Sequence, residues 1–405
     1  MQRSDVRAVG DLAAEASSVV TGVVQEMHDG IASRAFDSIG PLGTPTRVIH
    51  DGLARSIYRG VGRGVRGAGH AAGVMAADIW GDDGDDALES RAGVAEAIAA
   101  INGLYGHQLS ERGNRLAGEM AIRHCGKPVP PEAESLAEAF PTATGRVVVF
   151  IHGWCHTERW WSRRPREGDD TRSYGDRLRD DLGFTPVLLR YNTGLHVSVN
   201  GRQLADILDR LQAQWPVPLS ELVLVGHSMG GLVARSACHY GVEQHHGWTD
   251  MVSHVVCLGS PHLGADLEKG VNIASWALAR LPETRAIASF LNARSDGVKD
   301  LRFGACLDED WCDADPDEFL RDRCREVPFL PGATYHFVAA TDARPVVGVI
   351  AGDNLVRSYS ASGRGKSRRV PFDDEHGATL SGLNHFDLLN HPRVYAKLRD
   401  WLEQG

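Results

Sequence analysis

The stretch Glu221-Leu-Val-Leu-Val225 is a short apolar run that ends directly on Gly226-His-Ser-Met-Gly-Gly231 and continues into Leu232-Val-Ala-Arg235. Five residues bounded by glycine suit a buried strand better than a helix. A strand, a tight turn and a helix start in that order restrict the fold sharply. The turn belongs at the carboxyl end of a parallel strand, where such a serine is held with its hydroxyl above the sheet. The glycines permit the close backbone approach the turn requires. A glycine turn with an incidental serine is the plain alternative, and the strand–turn–helix setting favours the nucleophile.

The rest of the chain from Arg146 keeps the same rhythm. Val147–Ile151, Val187–Leu189, Leu222–Val225, Val255–Leu258 and His336–Ala340 read as buried parallel strands. Between the second and third, Leu204, Ile207, Leu208 and Leu211 form one helix face, with Asn200 as its expected N-cap. Such alternation predicts an α/β fold with a mostly parallel, doubly wound sheet. Before residue 140 the texture differs. It is rich in Ala and Gly, with helical stripes over Val6 to Met27 and Val94 to Tyr105. Pro128 to Glu134 reads as the linker between the two regions.

Hydrophobic residues make up 42% and charged residues 24% of the 405, which excludes wholesale disorder. With 53 acidic against 43 basic side chains the net charge is -10, so a general nucleic-acid binder is not expected, although a local basic patch is still compatible with it. Asp5, Asp11 and Glu15 interrupt the stretch where a signal peptide would be apolar, and no run of about 18 apolar residues occurs. The expectation is a soluble cytoplasmic protein without a transmembrane segment. Seven irregularly spaced cysteines with no CxxC exclude zinc-ribbon and thioredoxin readings, and leave a Cys306–Cys312 bridge open.

A serine hydroxyl needs a base, and the base belongs in a loop near the C-terminus. His385 in Gly382-Leu-Asn-His385-Phe fits. His376 and His391 are rivals, and His391 beside Pro392 reads better as a helix start. The acid that orients the imidazole lies between serine and histidine in chain order, where Asp342 and Asp353 both qualify. Oxyanion donors are expected from the backbone of Met229 and of Trp154 in His152-Gly-Trp154, with His152 bracing that loop. Trp160 and Trp161 suit an acyl pocket or the underside of a loop equally well.

The pieces VVVFIHGW, LVLVGHSMGGLVAR, LGSPHLGA, GDNLVRSYSASG and GLNHFDLLNHPRVYAKL together resemble the bacterial esterase and lipase branch of the α/β-hydrolase superfamily, from about residue 146 to the end. Arg190-Tyr-Asn-Thr-Gly194 and Val199-Asn-Gly201 are similar to a group of such hydrolases with helical N-terminal extensions. The resemblance implies Ser228 as nucleophile, His385 as base and Asp353, from the GDxLV segment, as acid. It implies a serine hydrolase of carboxylic esters without metal or organic cofactor. The expected partners are a small-molecule or lipid ester and a second copy of the chain. A membrane-lipid deacylase or acyltransferase on the same fold is one alternative, and a non-catalytic interaction protein is another.

The expected domains are a helical region over 1–140 and an α/β-hydrolase domain over 141–405, with a lid or cap insertion over 266–331. Gly62-Arg-Gly64-Val-Arg-Gly67 follows no strand and is not read as a dinucleotide site. Asp82-Asp-Gly-Asp-Asp86 lacks EF-hand spacing and reads as an acidic turn. The N-terminal helices are too narrow in their apolar faces to form a core and are expected to dock on the hydrolase domain or on a second copy.

Overall fold

The computed structural model describes residues 93–168, 170–278, 294–313, 318–341, 356–365 and 368–403, together with single residues elsewhere. The Val6 to Met27 stripe, the glycine-rich and acidic stretches between residues 59 and 86, Asp342 and Asp353 lie outside the described residues.

Eight strands form one sheet: β1 (Ala121–His124), β2 (Lys127–Val129), β3 (Arg146–Ile151), β4 (Thr185–Arg190), β5 (Glu221–His227), β6 (Val252–Leu258), β7 (Thr334–Thr341) and β8 (Gly377–Ser381). Their order is β2-β1-β4-β3-β5-β6-β7-β8. From β4 to β8 all pairs are parallel, whereas β1 pairs antiparallel with both β2 and β4. Helix α1 (Val94–Glu111) precedes the sheet, and the connections between strands carry α2 (Ala133–Ala139), α3 (Tyr174–Leu182), α4 (Val197–Gln214), α5 (Met229–Glu243) and α6 (Asp266–Leu278). The short α7 (Asp296–Asp300) and α8 (Ser358–Ala361) follow, and α9 (Pro392–Leu402) closes the chain.

Strand pleating explains why the central runs are apolar throughout. Val147, Val149, Leu222 and Leu224 join the core under α4 and α5 through Leu204, Leu208, Leu232 and Val233. Their neighbours Val148, Phe150, Val223 and Val225 join the opposite core with Leu178, Val394, Leu398 and Leu402. Helix α3 starts on a Ser173–Asp176 capping box and stops at Gly183 in the left-handed region. Helix α9 is capped by His391, whose ring accepts the Arg393 N–H at 3.1 Å. The helix-start reading of His391 therefore holds.

Two readings of the sequence are corrected, and one question it left open is answered. The sheet reaches back to Ala121, and Pro128, expected in a linker, sits in edge strand β2, where a missing N–H costs no ladder bond. Helix α4 starts at Val197, so Asn200 is buried inside its first turn and not at its cap. Its amide donates back to the carbonyls of Asn192 and Leu195, at 3.0 and 3.3 Å. All seven cysteines are free, so no Cys306–Cys312 bridge forms. Among the described residues no helix is long and apolar enough to cross a membrane.

Candidate active site

The elements that carry the candidate residues lie in one compact unit, residues 96–108, 118–269 and 295–405. Strand β5 ends at His227 and α5 begins at Met229, which leaves Ser228 alone in the turn at φ 54° and ψ -122°. A non-glycine residue in that region costs on the order of 1–3 kcal/mol and persists only where its surroundings impose it. Here they do. The Ser228 N–H donates to Leu258 O at 2.8 Å, tying the turn to the end of β6. A Cβ on Gly226 would strike the Gly230 backbone, and one on Gly230 would strike the Ile151 carbonyl. The turn thus closes only because both positions lack side chains.

The loop after β3 passes directly beside the serine. A Cβ on Gly153 would stand 3.0 Å from both Ser228 Cβ and His227 Nδ1. The next residue is Trp154, whose backbone N–H has no acceptor among the described residues. Its indole donates to Gly103 O of α1 at 2.8 Å. Met229 is the first residue of α5 and fully buried, so its amide belongs to the positive end of a 15-residue helix.

The segment Arg190-Tyr-Asn-Thr-Gly194 proves to be the brace of that loop. Arg190 forms a two-pronged buried pair with Glu158, both contacts 2.6 Å. The Tyr191 hydroxyl donates to His152 O at 2.7 Å, and its ring stacks on the His152 imidazole at 4.4 Å. Asn192 donates to Gly106 O of α1 at 3.0 Å and accepts the Gly194 N–H at 2.9 Å. Thr193 Oγ1 accepts the Cys155 N–H at 3.2 Å. Burial drives the His152 pKa down to about 4, so this ring is a neutral structural part, as expected of a brace. Burial also pushes the Cys155 thiol up to about 12, which leaves it protonated and unreactive.

His385 is buried in the loop after β8. Gly259, at φ +63°, lies against it: a Cβ there would approach His385 Nδ1 to 3.0 Å and Leu388 Cδ1 to 2.8 Å. The carbonyl of His385 lies 3.0 Å from His227 Nε2. Ser228 and His385 are thereby held to one another through Leu258, Gly259 and His227, although no described hydrogen bond joins hydroxyl to imidazole. Burial first, and then the neighbouring His227, hold the His385 pKa well below the ordinary histidine range. The ring is therefore neutral at pH 7 and able to accept a proton.

Sequence reasoning missed His156, His227 and Phe386, and left the places of Trp160 and Trp161 open. His156 and His227 stack at 5.7 Å, and burial drives both pKa values down, His227 to about 4. Trp160 stacks on His156 at 3.9 Å and faces Phe386 at 5.7 Å, half-buried beside the site. Trp161 instead packs under the loop against Phe150. No spacing in the sequence links residues 156, 160, 227 and 386, and only the sheet order brings them together.

Residues 142–277 match the family described as PGAP1-like alpha/beta domain. No curated protein matches the chain. Among solved structures the chain is similar to the mature form of Bacillus licheniformis lipase BlEst2. Identity is 18%, 64% of this chain and 91% of that one are covered, and the TM-score is 0.40. It is also similar to the Pyrococcus furiosus esterase Pf2001, with 13% identity, 64% and 83% coverage and a TM-score of 0.35.

Proposed function

We propose that the chain, whose residues 142–277 match a PGAP1-like alpha/beta domain, is a serine hydrolase of carboxylic esters on an α/β-hydrolase fold, acting through Ser228, His385 and Asp353. The observation that carries this reading is the backbone of Ser228, held at φ 54° between β5 and α5. Strain of that kind suits a hydroxyl presented to a substrate. Neutral His385 takes the Ser228 proton as the oxygen attacks the ester carbonyl. The amides of Met229 and Trp154 receive the developing oxyanion. His385 then protonates the leaving alcohol, and water releases the acid by the same route. Asp353 follows β7 in the chain, as its role beside the imidazole requires.

The test is turnover of a short-chain chromogenic ester by the full chain and by Ser228→Ala. The variant should lose at least about 10³-fold, the size expected when only binding and oxyanion donors remain. A fluorophosphonate should label Ser228. Labelling of Ser260 with activity kept in the variant would overturn the assignment.

A further inference from the structure

The turn after the oxyanion loop, Glu158-Arg-Trp-Trp-Ser-Arg-Arg-Pro-Arg166, concentrates four arginines and two tryptophans in a chain whose net charge is -10. Two of the four arginines are engaged. Arg159 lies 3.9 Å from Glu158, and Arg166 pairs with Asp387 at 3.0 Å. Arg163 and Arg164 are exposed and have no carboxylate partner among the described residues. Arg163 is nonetheless fixed in place. Its carbonyl accepts the Asn390 amide at 2.8 Å, and its guanidinium lies over Trp160 at 5.6 Å and over Phe386 at 5.8 Å. Phe386 directly follows His385, and Trp160 stacks on His156, whose ring in turn stacks on His227 beside Ser228. A held cation therefore stands one side chain, Phe386, from His385, on an aromatic platform that leaves its outer face to solvent.

We propose that Arg163 and Arg164 form a receiving site for an anionic group, a carboxylate or a phosphate, carried by the ester substrate. The inference rests on the reading of Ser228 and His385 as the reacting centre and names the class of ester that centre prefers. Guanidinium groups match both anions in geometry, and the platform spares Arg163 much of the ordering cost of a free surface arginine.

Binding is measured by calorimetry on the full chain carrying Ser228→Ala, so that no turnover is needed. The ligands are three soluble esters of one acyl length, with a terminal phosphate, a terminal carboxylate or no charge. On this background Arg163→Gln with Arg164→Gln should lower the ratio of anionic to neutral affinity by about tenfold or more, the loss expected for a charged hydrogen bond. Arg172→Gln removes an exposed arginine already paired with Asp170 and Asp180 and should not move the ratio. The larger drop, for phosphate or carboxylate, identifies which anion is preferred. An unchanged ratio overturns the proposal. So does an unchanged ratio accompanied by lost binding to phosphatidylglycerol vesicles, which would assign the arginines to a lipid surface. Ester turnover by the chain with Ser228 intact is read separately. A binding preference without turnover supports the arginine site and counts against the hydrolase reading alone.

Discussion

The Nε2 of His227 lies 3.0 Å from the carbonyl oxygen of His385, so the residue before Ser228 holds the loop that carries His385. Because a carbonyl only accepts, Nε2 carries the proton, and this bond sets the tautomer of a ring that burial keeps neutral. His227→Phe keeps an aromatic ring of similar bulk and removes the donor. It should lower kcat by roughly tenfold with little change in KM, the pattern of a displaced base. An equal rise in KM would place His227 in substrate binding instead.

Asp353 and Asp342 are separated by their effect on His385. A carboxylate beside an imidazole favours its charged form and raises its pKa. Asp353→Asn should therefore cut the rate by up to about 10⁴-fold and move the acid limb of the pH–rate profile to lower pH. Asp342→Asn should cost less than about tenfold and leave that limb in place. Reversed penalties would transfer the acid role to Asp342.

Glu158 and Arg190 are both buried, with side chains 3% and 8% exposed. Burial alone would raise the Glu158 pKa, but the Arg190 hydrogen bonds hold it below the ordinary carboxylate value. Removing one partner of such a pair strands the other's charge. Glu158→Ala should destabilise the chain by about 3–5 kcal/mol in urea denaturation. A loss under about 1 kcal/mol would mean that water reaches the pair.

Acid should weaken the fold before it protonates surface carboxylates. His152 and His227 have folded pKa values near 4 against about 6.5 when unfolded, so the unfolded chain binds more protons between those values. Their contribution is full above pH 6.5 and is lost as the pH falls towards 4. Between pH 7 and 5 each should cost roughly 2 kcal/mol. Unfolding followed at the two pH values checks this, and equal stability would show that these rings already titrate normally in the fold.

The five central strands and the turn at Ser228 were legible because their physics is local: apolar runs, glycine spacing and a following helix. Strands β1 and β2 were not. Ala-Ile-Arg-His and Lys-Pro-Val are too short and too polar to show alternation, and it is pairing with β2 and β4 that makes the first of them a strand. Strand β8, Gly-Ala-Thr-Leu-Ser, lacks an apolar run for the same reason: it is an edge strand with alternate residues exposed. Asn200 looked like a cap because caps and buried anchors use the same amide chemistry; its burial, and not its residue type, decides between them. The Arg190 to Gly194 brace could be seen only as a resemblance, since its partners at residues 106, 152, 155 and 158 are distant in sequence.

Pro128 has a consequence beyond its place in the register. Strand β2 forms one border of the sheet, and its exposed Lys127 and Pro128 present a charge and a missing amide hydrogen where another chain's strand would have to dock. The hairpin thus acts as a stopper. It finishes a row of otherwise sticky parallel strands with a segment that offers no template, so the same short loop that completes the layer also protects the folded chain against growing into fibres from that side.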